Sequence, residues 1–77
     1  MPVVGPPVQV TVAASPVGGT LVLLWNRSGS RRRIDVNGQA FLDDGNTRAG
    51  VAVEAHASEV RVTDDRDGLL WPVRSLD

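Results

Sequence analysis

The stretch Arg32-Arg33-Ile34-Asp35-Val36-Asn37-Gly38-Gln39-Ala40-Phe41-Leu42 decides the fold class. Asn-Gly tolerates positive φ at both central positions of a type I′ turn, the two-residue turn whose twist matches that of paired antiparallel strands. The flanking residues then pair in one register, with Val36 facing Gln39, Ile34 facing Phe41 and Arg32 facing Asp43. If the ladder extends one step further, Arg31 faces Asp44, so opposite charges meet at the open end of the hairpin.

Outward from this hairpin, most of the chain carries strand signals. Val8, Val10 and Val12 alternate with Gln9, Thr11 and Ala13, the period of a half-buried strand. Ser15-Pro16 and Gly18-Gly19 mark a turn. Thr20-Leu21-Val22-Leu23-Leu24-Trp25 then runs without alternation, which reads as a strand covered on both faces, by the protein's own layers or by a partner subunit. This is the segment expected to be most buried, and Asn26 to Ser30 follow it as a polar loop.

Asp43-Asp44-Gly45-Asn46 reads as a second turn. Val51, Val53, Ala55 and Ala57 share one face, but the next apolar pair is Val60 and Val62, so a bend or bulge is expected near Ala57-Ser58. Residues 51–61 have a second reading as a short helix, because Ala, Glu and Arg favour helix and Val53, Ala57 and Val60 are helically spaced. Asp64 to Gly68 reads as a loop. Leu69-Leu70-Trp71 is a last strand, placed at an edge or a bulge by the missing donor of Pro72. The sum is an all-β fold: a small antiparallel β-sandwich or barrel of about six to seven short strands over residues 8–77. Pro2, Pro6 and Pro7 make residues 1–7 an extended N-terminal arm.

Composition narrows the function classes. A chain of 77 residues has room for one core, and domains of this size bury only about 60% of their unfolded surface. Disulfides and metals often supply the remaining stability, yet the chain has no cysteine and one histidine, His56, which leaves oligomerisation. The formal net charge of -1 makes nucleic acid an unexpected partner. No stretch approaches the ~20 apolar residues of a membrane span, and MPVVGPPVQV lacks the basic flank and apolar centre of a signal peptide. All 8 basic residues are arginines, and the bias toward Ala, Val, Gly and Asp suggests a high-GC genome, such as an actinobacterium's or that of one of its phages.

Each candidate chemical site has a structural reading that competes with it. Asp65, Asp67 and Gly68 have the spacing of the third, fifth and sixth positions of a calcium loop. Thr63 and Arg74, however, stand where its first and last carboxylates belong, so a solvated Asp-rich turn is expected. His56 lies opposite Ala55 and Ala57 on an alternating strand, toward solvent, with nothing to orient it as a base. Asn26-Arg27-Ser28 matches a glycosylation sequon. Arg31, Arg32 and Arg33 form the one charge run, suited to an anion or an acidic partner, with Asp43 and Asp44 as the simpler pairing. Phe41 and at least one of Trp25 and Trp71 are expected in the core, with the second Trp at a subunit interface.

The sequence therefore predicts a non-catalytic structural or assembly protein with no cofactor and no metal. Its expected interface is Val3, Val4, Leu21, Leu23, Trp25 and Trp71. Its expected partner is itself, as a trimer before a dimer, within a larger protein assembly. A small phage virion component, a capsid decoration or tail protein, fits best, which places the chain in a virion or otherwise in the cytoplasm. The alternative is a small barrel that recognises nucleic acid or an acidic peptide through Arg31, Arg32, Arg33 and an exposed Trp.

Overall fold

The Asn37-Gly38 turn forms as expected, with φ of 48° and 87°, and the hairpin around it has the anticipated register. β3 (Arg32–Val36) pairs antiparallel with β4 (Gln39–Asp43), placing Val36 opposite Gln39, Ile34 opposite Phe41 and Arg32 opposite Asp43. This computed structural model describes residues 7–43 and 48–72. The arm residues Val3 and Val4, and the Arg31–Asp44 pairing, lie outside or extend beyond that range.

Five further strands complete the fold: β1 (Val8–Ala14), β2 (Thr20–Asn26), β5 (Arg48–Val53), β6 (Val62–Asp64) and β7 (Gly68–Trp71). They make two antiparallel sheets, one ordered β1-β2-β5 and the other β4-β3-β6-β7. The architecture is a sandwich, and no barrel closes. Between the sheets lies a core of Val8, Val22, Leu24, Ile34, Val36, Val60, Val62 and Leu70. Val10, Val12, Phe41, Val51, Val53 and Trp71 pack around it, partly buried. Full burial of such a side chain contributes about 1.5–3 kcal/mol, so this one cluster is the main source of stability.

Three expectations need correction. Among the described residues, Thr20 to Trp25 is not covered on both faces by the protein's own layers, which leaves only the partner-subunit form of that expectation. Thr20, Val22, Leu24 and Asn26 point inward and are buried, whereas Leu21 and Trp25 are half-buried and Leu23 is 45% exposed on the outer side. The pleat alternates sides whatever the residues are, so a run that is apolar throughout still has two faces. Residues 51–61 are neither a continuous strand nor a helix of normal length. β5 ends at Val53, and one 3₁₀ turn spans Ala57–Glu59, closed by Glu59 N–H on the His56 carbonyl (2.8 Å) and Val60 N–H on that of Ala57 (3.2 Å). This turn sits where the apolar phase shift required a bend, and it delivers Val60 to the core. Asp64, expected in a loop, is instead the buried last residue of β6.

That aspartate holds the end of the sandwich together. Arg32 lies opposite Asp43 in the ladder, yet its guanidinium Nη1 reaches Asp64 Oδ2 at 3.4 Å and Asp67 Oδ2 at 2.9 Å. The Asp64 side chain is 0% exposed and that of Arg32 10%. Asp64 Oδ1 accepts the Arg66 N–H at 2.9 Å, which folds the β6–β7 turn back over the pair. Arg32 Nε is buried without a hydrogen-bond partner, so the pair is not fully satisfied.

At the opposite end, Asn37 Oδ1 accepts the Arg61 N–H at 2.6 Å and Asp35 Oδ1 accepts the Gly38 N–H at 2.8 Å. These bonds tie the hairpin turn to the chain entering β6. In the β1–β2 loop, a Cβ on Gly19 would lie 2.4 Å from the Val53 carbonyl oxygen, so only glycine permits this approach. Pro72 follows β7, which is both an edge strand and bulged opposite Val62-Thr63, the two settings its sequence allowed.

Removing one member of a buried ion pair strands the other. Arg32→Ala, which leaves the buried Asp64 carboxylate without a charged partner, is expected to lower unfolding stability by about 3–5 kcal/mol, whereas Arg33→Ala, at an exposed position, should change it by less than about 0.5 kcal/mol. Urea denaturation of both variants measures the difference, and equal losses would contradict this role for Arg32.

Candidate functional site

The outer face of the β1-β2-β5 sheet follows from the register of its central strand. Three rows cross it: Gln9–Trp25–Arg48, Thr11–Leu23–Gly50 and Ala13–Leu21–Ala52. Leu21, Leu23 and Trp25, all odd-numbered on β2, therefore form an apolar stripe down the middle. The neighbours on β1 and β5 are short or polar and cover it only in part, leaving Leu23 the most exposed of the three. Among the described residues no other layer packs on this face. The smallest neighbour is Gly50, opposite Leu23; a Cβ there would meet Leu23 Cδ2 at 3.5 Å, an ordinary contact. A strand glycine without positive φ leaves a dip in the sheet where another surface can approach. A groove of about 390 Å³ runs here, lined by Gln9, Thr11, Leu23, Trp25, Arg48 and Gly50 among others.

Two arginines frame one end of the stripe. The guanidinium carbon of Arg48 lies 4.2 Å from the Trp25 ring centroid, and that of Arg27 lies 5.0 Å from it. Arg48 arrives through the β2–β5 pairing and Arg27 by standing two residues beyond Trp25. A guanidinium stacked through its flat face keeps its N–H edges free for a carboxylate. Neither arginine has an acidic partner among the described residues. The sequence contained a signal for Arg27, through its parity with Trp25, but none for Arg48, which depends on a pairing between distant segments.

The structure brings Leu21, Leu23 and Trp25 together as expected. Trp71 does not join them: it belongs to the other sheet and packs, half-buried, against the core, because the β7 bulge turns it there after Leu70. Trp25 is thus the tryptophan left at the surface face, and Phe41 and Trp71 serve the core. Arg31, Arg32 and Arg33 do not form one patch. Arg32 is turned inward to Asp64 and Asp67, while Arg33, next along the strand, is exposed on the opposite face; Arg31 is exposed and has a partner of its own.

Other polar positions are occupied structurally. Asn26 is fully buried and organises the β2–β3 loop. Its Nδ2 donates to the Ser30 carbonyl at 2.8 Å, and its Oδ1 accepts Ser28 N–H at 3.0 Å and Ser28 Oγ–H at 2.6 Å. With its amide committed in this way, the sequon at Asn26 is closed to glycosylation in the folded chain. Asp67 is engaged by Arg32. His56 is exposed and lines a shallow depression of about 360 Å³ with Glu54, Glu59 and the Gly18-Gly19 turn. Among the described residues, no three His, Asp or Glu side chains are grouped to hold a metal ion, and no helix is long and apolar enough to cross a membrane.

Fold and surface together define an all-β sandwich domain in which, among the described residues, one apolar sheet face is left without a covering layer. No protein-family model, curated protein or solved structure matches the chain.

The two sides of β2 should respond differently to truncation. Leu24→Ala is expected to cost about 2–5 kcal/mol of stability, whereas Leu23→Ser should leave the monomer within about 0.5 kcal/mol of the parent. Thermal unfolding at low protein concentration separates the two, and comparable losses would show that Leu23 is a core residue.

Proposed function

We propose that this chain is a non-catalytic assembly module that self-associates through the outer face of its β1-β2-β5 sheet. The observation that carries the reading is the Leu21–Leu23–Trp25 stripe. In a 77-residue chain with one small core, three consecutive outward positions of the central strand are large and apolar. Scattered apolar residues are ordinary on a surface, whereas a contiguous patch with a polar rim marks an interaction site. Covering this patch adds buried apolar area to a domain whose own burial is limited by its size.

The setting that fits best is a small phage virion component, a capsid decoration or tail protein. The reading is supported by the small all-β domain, the arginine-only basic complement and the apolar proline-rich stretch MPVVGPP at residues 1–7. Such modules work through repeated copies, so self-association is itself the activity.

Sedimentation equilibrium tests this. The parent chain should show a mass that rises with concentration, and Leu23→Asp, which places a charge at the centre of the stripe, should stay monomeric with unchanged circular dichroism. A parent chain that remains monomeric up to about 1 mM, where even a contact of about 4 kcal/mol would register, would overturn the proposal.

A further inference from the structure

The bare face is polar in charge and asymmetric in bulk along the strand direction, and both asymmetries select one way for two copies to meet. Its middle row, Thr11–Leu23–Gly50, also marks the middle of β1 and β2. To one side lies the row of large residues, Gln9–Trp25–Arg48, with Arg27 just beyond it. To the other lies the row with alanines at both flanks, Ala13–Leu21–Ala52. Just beyond β5, in the bend that follows Val53 and beside the His56 depression, stands exposed Glu54, and the alternation of exposed and half-buried residues continues to it from Ala52. One end of the face thus presents arginines without acidic partners among the described residues, and the other end leads to an exposed carboxylate.

We propose that the face pairs with the same face of a second copy about a two-fold axis that crosses the strands near Leu23, with the facing β2 strands antiparallel. This rests on the self-association reading above and specifies its geometry. The two-fold lays Leu23 against Leu23 of the other copy and sets each large row over the other copy's alanine-flanked row. Trp25 then meets Leu21, and Arg48 lies above Ala52 with Glu54 one row further out. Successive same-face rows are about 6.6 Å apart, within the reach of an arginine side chain. Each copy therefore offers its Arg48 to the other's Glu54, giving two equivalent ion pairs at the rim. A two-fold parallel to the strands would instead set Trp25 against Trp25 and Arg27 against Arg27, with each Arg48 over the other copy's Gln9, so that all four arginines gather at one end with the bulky rows facing each other, which charge and bulk both oppose. One self-complementary patch closes as an isologous dimer, whereas a cyclic trimer requires two different patches on each subunit. The proposed arrangement therefore favours a dimer over the trimer expected from the sequence.

A charge-exchange cycle tests the arrangement, with each variant's fold checked by circular dichroism and its dimerisation measured by sedimentation. Arg48→Glu and Glu54→Arg should each raise the dimer dissociation constant about tenfold or more, and the double variant should recover most of the loss. Losses that merely add in the double variant, or a trimer mass for the parent, would overturn the two-fold arrangement while Leu23-dependent association still upheld the assembly reading. Association that is insensitive to Leu23→Asp would also overturn it, pointing to pairing along the β5 edge. A parent chain that never associates would overturn both.

Discussion

β2 is the constraint on which the rest depends. It is the central strand of its sheet, hydrogen-bonded to β1 on one side and β5 on the other, and every outward and inward position is apolar from Leu21 to Trp25. A chain of this length supplies one opposing sheet. That sheet covers Val22 and Leu24, and among the described residues nothing comparable is left to cover Leu21, Leu23 and Trp25. The same strand thus builds the core with one set of side chains and turns an apolar stripe outward with the other, and a one-residue slip would exchange the two sets.

The remaining structure keeps that strand in place. At its start, Thr20 is buried and its hydroxyl donates to the Ala55 carbonyl, while Gly19 lets the preceding turn press against Val53. At its end, buried Asn26 folds the next loop onto itself through Ser28 and Ser30, and the Arg27 N–H reaches the Pro7 carbonyl at 2.7 Å. In the opposing sheet, Arg32 and Asp64 link the neighbouring strands β3 and β6. Buried charges of this kind are weak sources of stability, but they tolerate few alternatives, because any other register leaves a charge unpaired. Polar burial is thus concentrated at strand ends, where it sets register, and the middle of the core is left wholly apolar.

Much of the fold was legible because it is encoded locally. Asn37-Gly38 specified both the turn and the pairing of Ile34 with Phe41, the alternation from Val8 to Val12 specified which side of β1 faces inward, and the phase jump before Val60 located the 3₁₀ turn. The misreadings concern information that local pattern does not carry. The run from Thr20 to Trp25 has no visible period, so its two faces could not be told apart from a strand buried on both. Asp64 and Asn26 read as loop residues because their burial depends on Arg32 and on a loop conformation, neither of which leaves a trace in hydropathy. The residues of the outer sheet face divide in the same way: Leu21, Leu23 and Trp25 share a strand and were found together, whereas Arg48 joins them only through a pairing that spans the chain. Trp71 looked equivalent to Trp25 and was separated from it by a one-residue bulge.

The central claim is that β2 has one face committed to the core and one face reserved for a partner. Methyl NMR with a soluble paramagnetic co-solute, recorded on dilute and concentrated samples, tests it at single side chains. The account predicts that Val22 and Leu24 methyls are shielded at every concentration, while those of Leu21 and Leu23 are broadened in dilute solution and become shielded as concentration rises. Leu23 methyls shielded even at the highest dilution, or Val22 and Leu24 broadened as strongly as Leu23, would contradict it.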